Sequence, residues 1–401
     1  MNQKFSRTAV SIIAAVIAAS PAQVLAQTSN TTGNLQDLVS DLYGGNGITL
    51  DPTIVFHTAH FSASSQAALN NLSNIISASI GPASFNSTVS AISFDIEEGV
   101  PVRSQESLGP IVAERASTIG KNRLNIGVSY TNVNYKRLNG RRLNSLQLVL
   151  THDQQFNLPY ELDTIVLNLD LRLKQQIFAF IGTYGVSNNL DIGVVVPLMK
   201  IDGYVRSQAM IVDSGGGGLH RFGGTVNPVS VNQQSATGVG DLIVRAKYVF
   251  TKGSDKVIDF GALLQASLAT GDEKDLLGAG SSSIFLGGIV SANLGKINPH
   301  LNFGYEYFVD QKQKVVGLDT DRSSAKVVAG FDLRARDNFA ISPEFIGRWQ
   351  KNGQHLYDLA LGAKWAPIGN VPISANIVMP LNRNEGLRPN YYFTIGIEST
   401  F

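Results

Sequence analysis

The chain has 401 residues, 43% of them hydrophobic and only 16% charged, with 39 Gly, no Cys and a formal net charge of +1. The even charge balance excludes a polybasic nucleic-acid binder, and the hydrophobic share excludes wholesale disorder. Without Cys there is no disulfide scaffold, thiol nucleophile or cysteine-ligated metal, and the surplus of Gly over a thin charge leaves a soluble all-β protein or a membrane barrel.

Met1–Thr8 carries Lys4 and Arg7, Ala9–Ala19 is apolar, and small residues lead to Ala26. This is the pattern of a secretory signal over residues 1–26. Its removal takes the net charge from +1 to −1. Gln27 follows instead of Cys, which argues against a lipoprotein. No later run approaches the ~18 apolar residues of a membrane helix.

Residues 27–121 do not alternate steadily. Asn34–Tyr43 reads as a short helix and Ser64–Ile80 as an amphipathic one, with Leu69, Leu72, Ile76 and Ile80 on one face. Ala91–Arg103 reads as a hairpin about Glu97-Glu98-Gly99. Such a segment either plugs a lumen or packs beneath it in the periplasm, and the apolar face of Ser64–Ile80 favours the plug.

From Asn122 to Phe401 the sequence has a period of two. Leu124, Ile126, Val128 and Tyr130 oppose Arg123, Asn125, Gly127 and Ser129. Leu301, Phe303, Tyr305 and Tyr307 oppose His300, Asn302 and Glu306. Aromatics gather near strand ends, at Tyr130, Phe250, Tyr305, Tyr307, Trp349, Trp365, Tyr391 and Phe393, as in interfacial girdles. Short links such as Ser187–Asn189 and Arg336–Asn338 alternate with long ones such as Gly203–Thr237, Gly271–Ser281 and Asp310–Ser324. Short periplasmic turns alternating with longer outer loops are the mark of a transmembrane antiparallel up-and-down barrel, here residues 122–401. In Thr164–Lys174 the bulky residues are odd-numbered, whereas Phe178, Phe180 and Tyr184 are even-numbered. One long strand with a bulge gives about 12 strands. A turn at Gln175-Gln176, with Leu146–Thr151 as an added strand, gives about 14; the smaller barrel is favoured.

The polar phase of these strands nominates a lumen. Its cationic candidates are Arg123, Arg245, Lys247, Lys326, Arg334, Arg336, Arg348 and Lys364, and its acidic ones Asp241, Glu306, Asp332, Glu344, Asp358 and Glu398. Mixed signs predict pairing across the ladder, whereas a ring of one sign would predict ion selectivity. Nothing assembles a catalytic set. His57-Thr58-Ala59-His60 has no Cys or nearby carboxylate in sequence to complete a metal site and reads as an ordinary loop pair. A barrel-wall lipase pairing Ser with His300 or His355 lacks a strained nucleophile turn. No enzyme activity, metal or cofactor is expected.

Two stretches carry a resemblance. Gly238-Val239-Gly240-Asp241-Leu242-Ile243-Val244-Arg245-Ala246-Lys247-Tyr248 and Leu268-Ala269-Thr270-Gly271-Asp272 with Leu276-Leu277-Gly278-Ala279-Gly280 resemble a strand, and the next strand and outer loop, of the outer-membrane barrel family named for the meta-pathway of phenol degradation. Tyr184-Gly185-Val186, Leu190-Asp191-Ile192-Gly193 and Val196-Pro197-Leu198 look like its preceding hairpin, and Ala269 stands where that family has Pro. The resemblance implies an outer-membrane channel for passive uptake of a small, hydrophobic or aromatic solute, similar in outline to fatty-acid and hydrocarbon channels. It implies membrane lipids and the barrel-assembly machinery as partners and no nucleic acid. The terminal Phe401 resembles the assembly signal of such barrels. The alternative is a structural or surface-binding barrel working through its outer loops, chiefly Gly203–Thr237.

Overall fold

A computed structural model describes residues 34–54, 58–80, 94–97, 100–103, 108–153, 159–214, 220–223, 227–250, 258–309, 321–368 and 371–401. The signal segment 1–26 and His57 lie outside the described residues.

Twelve strands close into an antiparallel barrel. They are β1 (Leu124–Leu138), β2 (Thr164–Gly185), β3 (Leu190–Val212), β4 (Leu242–Val249), β5 (Ile258–Leu268) and β6 (Ser283–Ala292). β7 (Ile297–Phe308), β8 (Ser324–Arg336), β9 (Phe339–Gln350), β10 (His355–Ile368), β11 (Val371–Pro380) and β12 (Leu387–Thr400) complete the ring. β12 pairs with β1, and Phe401 continues that edge by exchanging two backbone hydrogen bonds with Leu124. Short strands extend the wall at one end: Arg141–Arg142 beside β1, Leu146–Thr151 beside the outer half of β2, and Val229–Val239 beside the outer half of β3. The N-terminal residues add turns at Leu35–Asp37 and Ser40–Tyr43, helix α1 (Ser62–Ile80), and a hairpin of Phe94–Glu97 with Val100–Arg103.

The barrel faces lipid with every strand. Leu124, Phe178, Val194, Val244, Leu264, Leu286, Phe303, Phe331, Phe345, Leu361, Ile373 and Ile395, one from each strand, are all exposed. A soluble chain does not leave so continuous an apolar belt in water, and only closed barrels or helices satisfy their backbone in hydrocarbon. Tyr248, Phe250 and Trp365 border the belt at the end with short turns, and Tyr305, Tyr307 and Tyr391 at the other. The structure is a transmembrane barrel of the outer-membrane type. The short-turn end is accordingly periplasmic and the long-loop end external.

β2 explains the change of phase in its sequence. It is a single strand whose register with β3 runs without a shift from Thr164–Val212 to Gly185–Asp191, so no bulge is present. Its odd residues point inward along its whole length. Between Lys174 and Phe178 the medium changes instead of the phase. Below, the inward face is Ala179, Ile181 and Thr183 and the outward face Phe178 and Tyr184, as lipid demands. Above, Asn168, Asp170 and Arg172 face outward, and Ile165, Leu167, Leu169, Leu171 and Leu173 point into an apolar core. That core is capped by Leu35, Leu38, Phe61, Leu69, Leu72, Ile76 and Ile80.

The segment Gly203–Thr237 is therefore mostly not a loop. Gly203–Val212 continues β3, its inward Val205, Ala209 and Ile211 covering the same core, and Val229–Val239 pairs back on it, its inward Ser230 and Asn232 donating to the carbonyls of Leu42 and Leu38 in the N-terminal cover. Leu146–Thr151 is a strand, yet it lies beside β2 outside the ring, so the barrel keeps its twelve.

Candidate functional site

The periplasmic half of the lumen is crossed by residues 108–121. They have no regular structure, so their backbone N–H groups need partners from the wall. Glu344 on β9 supplies most: its carboxylate accepts from the N–H of Ile111 at 3.2 Å, Val112 at 2.9 Å and Ala113 at 2.7 Å. Asn302 on β7 forms a reciprocal pair with the backbone of Glu114 at 2.6 and 2.8 Å. Ser291 on β6 accepts from the N–H of Ala116 at 3.1 Å, and Asp191 on β3 from that of Ile119 at 3.1 Å. The strand therefore runs from Leu108, packed on Ala340 and Ala366, to the wall opposite, where it turns into β1. That turn requires Gly185, since a Cβ there would lie 1.8 Å from the Gly120 carbonyl oxygen.

Charges fix the crossing. Glu114 accepts from Arg245 Nη1 at 2.9 Å and from Lys247 Nζ at 3.0 Å. Arg115 donates from Nη2 to both Asp332 oxygens at 2.7 Å. Glu114, Arg245, Lys247, Asp332 and Glu344 are all buried. Buried pairs are costly to break, because the partner left behind is an uncompensated charge.

The other lumen candidates divide by height. Lys364 and Glu398 are buried in the periplasmic half, and Glu398 accepts from Asn125 Nδ2 at 3.4 Å. Toward the outside, Lys326 pairs with Glu306, which also accepts from Ser283 Oγ at 3.0 Å, and Arg388 pairs with Asp358. Arg123, Arg334 and Arg348 are half-buried. Arg336 follows a register shift in β8 and is exposed at the strand end instead of facing the lumen. Ladder pairing thus accounts for Lys326 and Glu306, while Asp332, Arg245, Lys247 and Glu344 bind the crossing strand. Sequence reading missed Glu114, Arg115 and Asp191 as site residues, and put Asn302 on the polar face without a role. The adjacent Glu114-Arg115 pair within the small apolar run Leu108–Ala116 was the visible signal.

Asp241 has a separate task. It stands at the break between Val229–Val239 and β4, where its carboxylate accepts from the N–H of Gly271 at 2.9 Å and of Ala279 at 2.7 Å. It thereby docks the β5–β6 loop inward. Gly278 is needed there, because a Cβ would lie 2.6 Å from both Asp241 Oδ1 and the Gly271 carbonyl. The loop inserts Leu276 and Leu277 into the outer apolar core. Gln36 N–H donates to the Lys274 carbonyl at 2.8 Å, which joins the loop to the N-terminal cover.

No protein-family model and no curated protein matches the sequence. Among solved structures, the chain is similar to an outer membrane channel from Pseudomonas putida F1 at 12% identity, over 71% of this chain and 98% of that one, with a TM-score of 0.47. It is similar to the toluene transporter TbuX of Ralstonia pickettii at 13% identity, over 79% and 99% of the two chains, with a TM-score of 0.40. The P. putida toluene transporter TodX gives 9% identity, 70% and 89% coverage, and a TM-score of 0.35.

Proposed function

We propose that the protein is a passive uptake channel of the bacterial outer membrane for a small apolar solute, aromatic if the family likeness of its motifs holds. What carries this reading is the division of the interior into two media. The outer half is lined by apolar side chains from β2, β3, α1 and the β5–β6 loop. The periplasmic half is a charged lumen closed by residues 108–121, with the N-terminal residues 27–121 acting as a plug and residues 1–26 removed on export. An apolar molecule gains nothing by entering that charged half.

The wall offers it an exit. Val229–Val239 pairs with β3 on one edge only among the described residues, and β4 resumes at Leu242 after the break at Gly240-Asp241. Leu277 lies against Gly238 and Gly240 and fills the notch. Withdrawal of Leu276 and Leu277 connects the outer apolar core to the lipid at this point, so that the solute leaves sideways into the membrane, down its own gradient. The surface-binding alternative loses support, since most of Gly203–Thr237 is strand.

The test is accumulation of toluene and of a disaccharide by a deletion strain with and without the protein. Only toluene uptake is expected to depend on it, and rates for apolar probes that do not change with the protein would remove the channel reading. Asp241→Ala releases two backbone N–H groups and frees the β5–β6 loop. Faster toluene entry and new protease cleavage between residues 269 and 282 are expected, and slower entry with an intact barrel would contradict the sideways exit.

A further inference from the structure

Away from the lumen, at the external rim, three histidines from separate parts of the chain meet. His60 immediately precedes the Phe61-α1 start, His152 follows the strand Leu146–Thr151, and His220 lies between β3 and Val229–Val239. The His60 and His152 rings stack with centroids 4.3 Å apart. His220 stands 4.9 Å from His152 and 6.4 Å from His60. Fully buried Phe61 meets both His152 and His220 edge-on, at 5.4 and 5.5 Å, and so closes the base of the cluster.

Two carboxylates orient these rings. Asp163 Oδ2 lies 2.7 Å from His220 Nδ1, while its Oδ1 accepts from Ser214 N–H at 2.7 Å and Ser214 Oγ at 2.8 Å. Asp153 contacts His60 Nδ1 through its carboxylate, and its carbonyl lies 3.0 Å from His152 Nδ1. A carboxylate or carbonyl on Nδ1 fixes the tautomer and turns Nε2 into a lone-pair donor, which is how ligating imidazoles are held.

We propose that His60, His152, His220 and Asp153 form a binding site for a divalent transition-metal ion of the zinc type, with Asp163 as the positioning residue behind His220. Ligand atoms of His60, His152 and Asp153 already lie within 4.8 Å of one another. A tetrahedral zinc brings its donors to roughly 3.4 Å, a closure of up to about 1.4 Å for these three, and His220, whose ring centre is 4.9 Å from that of His152, swings in as the fourth. Three imidazole nitrogens and one carboxylate oxygen form a donor set suited to zinc or cobalt and poorly suited to calcium or magnesium. The ion ties α1 to two extensions of the barrel wall, and so clamps the N-terminal cover over the outer apolar core.

The experiment uses the untagged, folded protein in detergent, freed of metal with a chelator and titrated with Co2+ and Zn2+. One equivalent of Co2+ is expected to give visible absorption of tetrahedral intensity, and Zn2+ to displace it and raise the unfolding temperature. His152→Ala and His220→Ala are expected to weaken binding at least tenfold, and Asp163→Asn by about tenfold. His355→Ala, at a distant strand end, should leave binding unchanged. Should the histidine variants not fold, as read by heat-modifiable gel migration, Asp153→Asn decides, since that side chain is 44% exposed and its loss leaves the packing intact. No Co2+ spectrum, or a spectrum of unchanged affinity in the folded variants, overturns the proposal.

Discussion

Replacing Glu344 by alanine is expected to turn a closed lumen into an ion-conducting one while the barrel stays folded. The carboxylate holds the backbone N–H groups of Ile111, Val112 and Ala113, and its Oε1 also lies 3.2 Å from His300 Nε2. A hydrogen bond to a charged group contributes about 1.5–3 kcal/mol. Water entering the vacated lumen offsets part of that, so a net loss of roughly 3 kcal/mol is a fair expectation. At about 1.4 kcal/mol per decade, the released state gains roughly a hundredfold in population. Single-channel recording in planar bilayers should therefore show frequent openings in Glu344→Ala, few in Glu344→Gln, which keeps one acceptor oxygen, and almost none in the parent. Equal conductance in all three would mean that the crossing strand is held by other contacts.

A charge on the lipid belt should have an effect of comparable size on folding. Phe178 packs against Tyr130 with ring centroids 4.7 Å apart and faces outward from the lower half of β2. Phe178→Arg, at the upper edge of the belt, takes part of the ~2–4 kcal/mol that arginine costs at the midplane and loses the ring contact with Tyr130, which contributes about 0.5–1.5 kcal/mol. Val166→Arg, on the same outward face of the same strand but above the change of medium, should stay within about 0.5 kcal/mol. Heat-modifiable migration and denaturant titration in detergent or lipid separate the two. Equal costs would erase the boundary between Lys174 and Phe178.

The barrel was legible because a strand in lipid writes its two faces into the sequence as period two, and most connections of the ring can be read from turn residues and loop length. β2 was harder for a physical reason. Alternation records which face is apolar, not which face is inward, and the two coincide only while the medium is constant. Once the strand leaves the membrane, the inward face becomes a conventional core, and the same geometry reads as a phase slip. The same inversion hid Gly203–Val212, whose outward Tyr204, Arg206 and Gln208 are polar, and the mixed polar residues of Val229–Val239 resemble a loop. In the lumen, alternation located the wall charges but not their partners. Asp332, Arg245 and Glu344 answer to residues 111–115, which have no periodicity to betray them, and the histidine cluster joins residues 60, 152 and 220, too far apart in sequence for any spacing rule.

Because the chain contains no Cys, the crossing strand can be locked in place and transport measured with it locked. A Cβ on residue 261 would lie 3.7 Å from that of Ala116, close to the ~3.8 Å of a disulfide, and 2.9 Å from the Tyr248 carbonyl oxygen, so the β4–β5 backbone must shift to admit it. In the Ala116→Cys/Gly261→Cys protein the bond should form in the native membrane, hold ion conductance at the closed level, and leave toluene uptake at the rate of the reduced protein. Uptake that stops on oxidation and returns on reduction would place the solute's path through the periplasmic lumen and contradict the sideways exit.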